Sequence, residues 1–144
     1  MAVDGSEHRR LTGGPAGGPD QSPIVSPDGG YLAFVRPRTV GRSALFVVPL
    51  TSDATPSGTP RQLTPDNDSI LGFAWAPQRR EIVFSAGPHL GLSRLARTPV
   101  VPDGSQPPTP EFLTFGEQAA GLSIARTGSA RVCGTIQRHS PVRA

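Results

Sequence analysis

The sequence predicts an all-β chain of short antiparallel strands, and two observations carry this prediction. Short apolar runs are separated by segments rich in glycine and proline, with 17 of each among 144 residues. The order of runs and turns then recurs at a shift of fifty residues, so that Pro77 and Phe84 follow Pro27 and Phe34 at that distance. The chain is therefore expected to repeat one structural unit.

The first unit is centred on the turn Ser26-Pro27-Asp28-Gly29, which joins a strand at 22–26 to a strand at 31–36. Proline presets φ, aspartate can bond its own backbone and glycine accepts a positive φ, so Asp28 is interpreted as a turn former. The apolar run of the second strand does not alternate, which indicates that both faces are covered. The remaining elements are a loop at 37–42, a strand at 43–50, a loop at 51–60 and a strand at 61–64.

A second unit repeats this order, with strands at 73–76, 81–85, 92–98 and 112–114. Its turn has Gln78-Arg79 in place of Asp28-Gly29, so a residue other than glycine is expected at positive φ, at a cost of about 1 kcal/mol. A third copy begins at 122–125 and has Gly134 where the other two have phenylalanine. The core of this last copy is expected to be the weakest.

The copies divide the chain into a leftover strand and Gly/Pro-rich connector, a first unit, a second unit, and a partial third unit with a tail: 1–21, 22–64, 65–114 and 115–144. Four short antiparallel strands in forty to fifty residues is the period of a β-propeller blade. A closed propeller has about four to eight blades, whereas this chain holds about two and a half. The predicted fold is an incomplete ring whose open strand edges favour self-association.

The units resemble the TolB-like, WD-related propeller repeat of bacterial proteins, in which Ser-Pro-Asp-Gly precedes a short strand ending in phenylalanine. The first unit matches this pattern fully, and the second matches partly through Trp75-Ala76-Pro77 and Glu81-Ile82-Val83-Phe84. The endings Arg61-Gln62-Leu63-Thr64 and Phe112-Leu113-Thr114 fit the same family. The resemblance covers roughly residues 9–133 and implies a rigid scaffold that presents loops for recognition.

The resemblance implies a non-catalytic segment that binds a protein or a small ligand, as the sensory or interaction part of a larger bacterial regulator with a winged-helix or kinase domain. The loops at 37–42 and 87–91 are the expected binding surface. Two alternatives stay open: the propeller portion of a serine peptidase whose catalytic domain lies outside these residues, and a gene fragment without function of its own. No Gly-x-Ser-x-Gly pattern occurs, so no enzyme activity and no catalytic residue are expected.

No metal or cofactor is expected either. Zinc needs three or four converging nitrogen or sulfur ligands, and Cys133 is the single cysteine. The histidines are far apart in polar surroundings: His8, His89 and His139. Asp66-Asn67-Asp68 faintly resembles a calcium loop, but Ile70 and Leu71 stand where a ligand and a glycine belong. This segment is interpreted as an exposed turn, and the aromatic residues Phe73 and Trp75 are expected in the core rather than against a ligand.

The charge distribution argues against nucleic acid as a partner of this segment. All 14 basic residues are arginine, the net charge is +3, and the only adjacent pairs are Arg9-Arg10 and Arg79-Arg80. Aromatic residues are not interleaved with a basic face, as a stacking surface would require. No apolar run reaches the roughly 18 residues of a membrane span, and no signal peptide pattern follows Met1. The expected location is the cytoplasm if the chain is complete, or the periplasm within a longer parent.

Overall fold

The computed structural model describes residues 11–13, 18–78, 80–88, 93–102, 105, 109–113 and 122. Within these residues the chain forms eight β-strands and no helix. The strands are β1 (Gln21–Val25), β2 (Tyr31–Thr39), β3 (Arg42–Pro49), β4 (Arg61–Gln62), β5 (Ser69–Trp75), β6 (Glu81–Gly87), β7 (Arg94–Pro99) and β8 (Glu111–Phe112).

The strands form two antiparallel sheets of four, and each sheet follows the order of the chain. The first sheet has the order β1-β2-β3-β4, and the second has the order β5-β6-β7-β8. The prediction of an all-β chain with four-stranded antiparallel units is confirmed in this part of the chain. The third unit was predicted at 115–144, and of this range the structure describes only Leu122. Arg79, where a positive φ was predicted, also lies outside the described residues.

The two sheets share one pairing register at a shift of fifty residues. Tyr31 pairs with Pro49 in the first sheet, and Glu81 pairs with Pro99 in the second. Each of the six β2–β3 pairs from Tyr31 to Arg36 has such a counterpart between β6 and β7, and both β3–β4 pairs have counterparts between β7 and β8. A slip of one residue would turn every side chain to the other face. Residues fifty positions apart therefore occupy equivalent places in the two sheets.

The main core lies between the sheets. The first sheet contributes alternate residues of β2 and β3, and the second contributes the opposite set of alternate residues from β6, with part of β5 and β7. The residues of this cluster are Tyr31, Ala33, Val35, Leu45, Val47, Leu63, Phe73, Trp75, Ile82, Phe84, Ala86, Ala96 and Val100. We call the face that carries Tyr31, Ala33 and Val35 the front of the first sheet, and the face that carries their counterparts fifty residues later the front of the second. Since equivalent residues face the same way in both sheets, the front of the first sheet packs on the back of the second.

The back of the first sheet is also buried, as the apolar run at 31–36 predicts. Its residues form a separate cluster against which Leu11 and Leu50 pack: Leu32, Phe34, Ala44, Phe46 and Val48. On the front of the second sheet, Ser85 and Leu95 have no exposed surface. These two residues are the counterparts of Val35 and Leu45, which lie on the packed front of the first sheet.

The turn after β1 has the predicted geometry, whereas the predicted loop at 37–42 is wrong. Gly29 has a φ of 73° and its N–H donates to the carbonyl of Ser26 at 2.9 Å, which closes the turn. Strand β2 continues to Thr39 and β3 begins at Arg42, so that a two-residue turn replaces the loop. Pro37 is accommodated beside a register shift between Pro37 and Thr39, where a missing N–H is tolerated.

Candidate functional site

A pocket of about 370 Å³ lies at one end of the sheets, between the turn that follows β1 and the turn that follows β5. We call it the turn pocket, and it is lined by Ser26, Pro27, Asp28, Trp75, Ala76, Pro77, Gln78 and Arg80. Because the two turns are fifty residues apart in the sequence, equivalent segments of the two sheets form its two walls.

The first wall is fixed by the side chain of Asp28. The Ser26 hydroxyl donates to Asp28 Oδ1 at 2.6 Å, and the Gly30 N–H donates to the same oxygen at 3.0 Å. The hydrogen bond from Ser26 is the largest cause that lowers the pKa of Asp28, followed by the bond from Gly30, with a smaller contribution from Arg80. The carboxyl is therefore ionised near neutral pH.

Arg80 of the second wall contacts residues of the first wall. It occupies the position in the second sheet that Gly30 occupies in the first. Arg80 Nε lies 3.3 Å from Asp28 Oδ2, and its guanidinium lies 5.7 Å from the centre of the Tyr31 ring. About half of each charged side chain is exposed, with 53% for Arg80 and 47% for Asp28. Solvent screening makes such a pair worth less than about 1 kcal/mol.

Trp75 forms the buried side of the turn pocket. Only 6% of Trp75 is exposed, and its indole Nε1 donates to the carbonyl of Ile24 in β1 at 3.1 Å. Phe73, on the same strand, is 4% exposed. Both rings belong to the core between the sheets, as the sequence predicts.

A second pocket of about 230 Å³ lies at the opposite end, where β5 begins. We call it the cleft pocket, and it is lined by Thr64, Pro65, Asn67, Asp68, Ile70, Phe84, Ala86, Thr109, Pro110 and Phe112. Its floor is the back of β6, and the segment that joins β4 to β5 covers it. Phe112 of β8 forms one wall and is 47% exposed.

A buried ion pair occupies the equivalent end of the first sheet. Asp20 accepts two hydrogen bonds from Arg36, from Nε at 2.7 Å and from Nη2 at 2.9 Å. The guanidinium lies over the rings of Phe34 and Phe46, at 5.2 Å and 4.7 Å from their centres. The hydrogen bond to Asp20 raises the pKa of Arg36, so the guanidinium stays charged.

Of the two predicted binding loops, the described residues at 37–42 and 87–88 line neither pocket. The loop at 37–42 is reduced to the turn at Val40 and Gly41, and residues 89–91 of the other loop lie outside the described residues. Two residues of the predicted exposed turn, Asn67 and Asp68, line the cleft pocket. Sequence reasoning missed this pocket, although an alignment of the two units at a shift of fifty would have revealed the residues that differ there.

The described residues of the two pockets do not form a metal site. In the ranges that the structure describes, no three His, Cys, Asp or Glu side chains lie close enough together to hold a metal ion. Cys133 and the three histidines are outside those ranges. Among the described residues there is also no helix with the length and apolar character needed to cross a membrane.

No protein-family model matches the chain, and no curated protein matches it. Function is therefore inferred from the repeated register and from the chemistry of the two pockets.

Proposed function

We propose that the chain is a non-catalytic segment of a TolB-like, WD-related β-propeller that binds a protein or a small ligand at the ends of its sheets. The observation that carries this proposal is the pairing register that recurs at a shift of fifty residues. Propellers are built by radial repetition of four-stranded sheets. In a propeller, the front of one blade is expected to pack on the back of the next, and the two sheets of this chain pack in this way.

The chemistry of the turn pocket favours binding over catalysis. A general acid or base works best with a pKa near the working pH, which for a carboxyl requires a raised pKa. The pKa of Asp28 is instead lowered, and its oxygens are engaged by Ser26, Gly30 and Arg80. A half-exposed ion pair beside proline rings, with its carboxylate held by Ser26 and Gly30, is suited to recognition of a partner.

In this proposal the segment is the sensory or interaction part of a larger bacterial regulator. The coding sequence on both sides of the segment provides the simplest test. A winged-helix or kinase domain upstream would support the regulator. A flanking Gly-x-Ser-x-Gly segment would overturn it in favour of the propeller of a serine peptidase.

The open ring is tested by self-association of the purified chain. Every residue of the edge strand β1 is exposed, and Ile24 and Val25 are apolar, with 39% and 45% of their surface exposed. Such an edge promotes pairing with another chain, and lysine suppresses it. Sedimentation equilibrium should therefore show reversible association that Ile24→Lys weakens.

Val40→Lys is the matched control, because Val40 is fully exposed in the β2–β3 turn and is not on the β1 edge. This control should associate as the unchanged protein does. A compact monomer at all concentrations, or equal effects of the two substitutions, would contradict an open ring that associates through β1.

A further inference from the structure

The cleft pocket exists because side chains that fill the first sheet are smaller in the second. Arg36 and Phe46 of the first sheet have Ala86 and Ala96 as their counterparts. The counterpart of Asp20, which holds the Arg36 guanidinium, is the apolar residue Ile70. The charged and aromatic groups that cover Phe34 are therefore missing above its counterpart, Phe84.

An arginine is still present in this part of the second sheet, but on the other strand. Arg36 of β2 pairs with Ala44 of β3, whereas Ala86 of β6 pairs with Arg94 of β7. The guanidinium of Arg94 lies 4.2 Å from the centre of the Phe112 ring. This exchange moves the positive charge away from the middle of the sheet toward β8. The floor of the cleft pocket is formed by the apolar side chains of Phe84 and Ala86, which are largely buried, with 2% and 7% of their surface exposed.

The part of the lining that water reaches is also apolar. Ile70 is half-buried, and 47% of Phe112 is exposed. A ring that displaced water from these side chains would remove apolar surface from contact with water, which favours binding.

From these contacts we infer that the cleft pocket binds a small uncharged aromatic compound of one or two fused rings. Its volume of about 230 Å³ exceeds that of an apolar cavity of about 150 Å³ that holds benzene in another protein. The walls come from β5, β6, the β4–β5 connection and the segment at 109–112, which gives the concave shape of a small-molecule site. Polar rim residues, including Asn67 and Asp68, can orient a ring N–H or hydroxyl.

The inference deepens the proposed binding role but does not depend on the propeller. Indole is a suitable probe because it is uncharged and has two fused rings with one N–H. Titration of the ¹³C-labelled protein with indole should shift the methyl signals of Ile70 and Ala86. The methyl signals of Leu32 and Val48, on the filled back of the first sheet, should stay in place.

Two substitutions decide whether the shifts arise in the cleft pocket. Ala86→Leu fills the floor and Phe112→Ala removes a wall, and each should weaken indole binding at least tenfold. Phe112 is half-exposed, so its substitution tests the site even if Ala86→Leu does not fold. Gln78→Ala, in the turn pocket, is the control and should leave the affinity unchanged.

Three results would overturn the inference. The first is the absence of methyl shifts up to the solubility limit of indole, and the second is an affinity of the Phe112→Ala protein for indole equal to that of the unchanged protein. The third is that a tryptophan-containing peptide binds in this pocket whereas free indole does not. The self-association test with Ile24→Lys does not involve this pocket. A negative indole titration would therefore leave the proposed propeller segment standing.

Discussion

Replacing Thr98 by valine is expected to stabilise the protein. Thr98 is fully buried, and within the described part of the chain its hydroxyl has no hydrogen-bond partner. Its counterpart in the first sheet is Val48, which is equally buried and packs in an apolar cluster. The second sheet thus holds a hydroxyl where the first holds a methyl group of similar size.

The magnitude follows from the cost of an unsatisfied polar group. A buried donor without a partner costs about 1–3 kcal/mol, and the substitution Thr98→Val removes it with little change of shape. The free energy of unfolding should rise by about 1–2 kcal/mol, and a gain of 1 kcal/mol corresponds to about 4 °C in Tm for a chain of this size. Urea unfolding followed by circular dichroism measures the change.

Two controls separate the hydroxyl from the packing. Val48→Thr places a hydroxyl in the equivalent apolar site and should lower the free energy of unfolding by a similar amount. Thr98→Ser keeps the hydroxyl and removes a methyl group, and it should also destabilise. If Thr98→Val is neutral or destabilising while Val48→Thr has its expected effect, the Thr98 hydroxyl has a partner and the reasoning is wrong.

Two further substitutions test the charged groups. Asp20→Asn should lower the free energy of unfolding, measured in urea, by about 3–5 kcal/mol, because Arg36 would remain buried without its counter-charge. A double variant with Asp20→Leu and Arg36→Met should recover most of this loss. Equal stability of the single and the double variant would refute this reasoning. Asp28, whose pKa is lowered on folding, stabilises the protein above its unfolded pKa near 3.8, and this contribution is lost as pH falls through the lower folded value. The difference in unfolding free energy between the unchanged protein and Asp28→Asn should therefore shrink as the pH falls below about 3.8, and a difference that does not change with this fall would contradict the assignment.

Local sequence signals predicted the strands and the repeat because turns and periodicity are local properties. The turn at Ser26–Gly29 has its expected hydrogen bonds, and the apolar run after it is buried on both faces. The loop at 37–42 was mispredicted because Pro37 normally ends a strand, whereas here a register shift accommodates it.

The pockets could not be predicted from local patterns, since they depend on pairs of residues that meet across strands. The exchange between Arg36–Ala44 and Ala86–Arg94 becomes visible only when the register is known. The ion pair of Arg36 with Asp20 likewise joins residues sixteen positions apart, with no local signal. Side-chain size at equivalent positions, rather than any motif, distinguishes the two sheets.

The stacking of successive sheets is tested most directly by a matched pair of core substitutions. Leu45 and Leu95 are counterparts, both fully buried, and Leu45 packs against the second sheet. If the front of the second sheet is covered by another layer in the same way, Leu45→Ala and Leu95→Ala should each lower the free energy of unfolding by about 2–5 kcal/mol. A loss of 2–5 kcal/mol for Leu45→Ala with less than about 1 kcal/mol for Leu95→Ala would contradict continued stacking of the repeat.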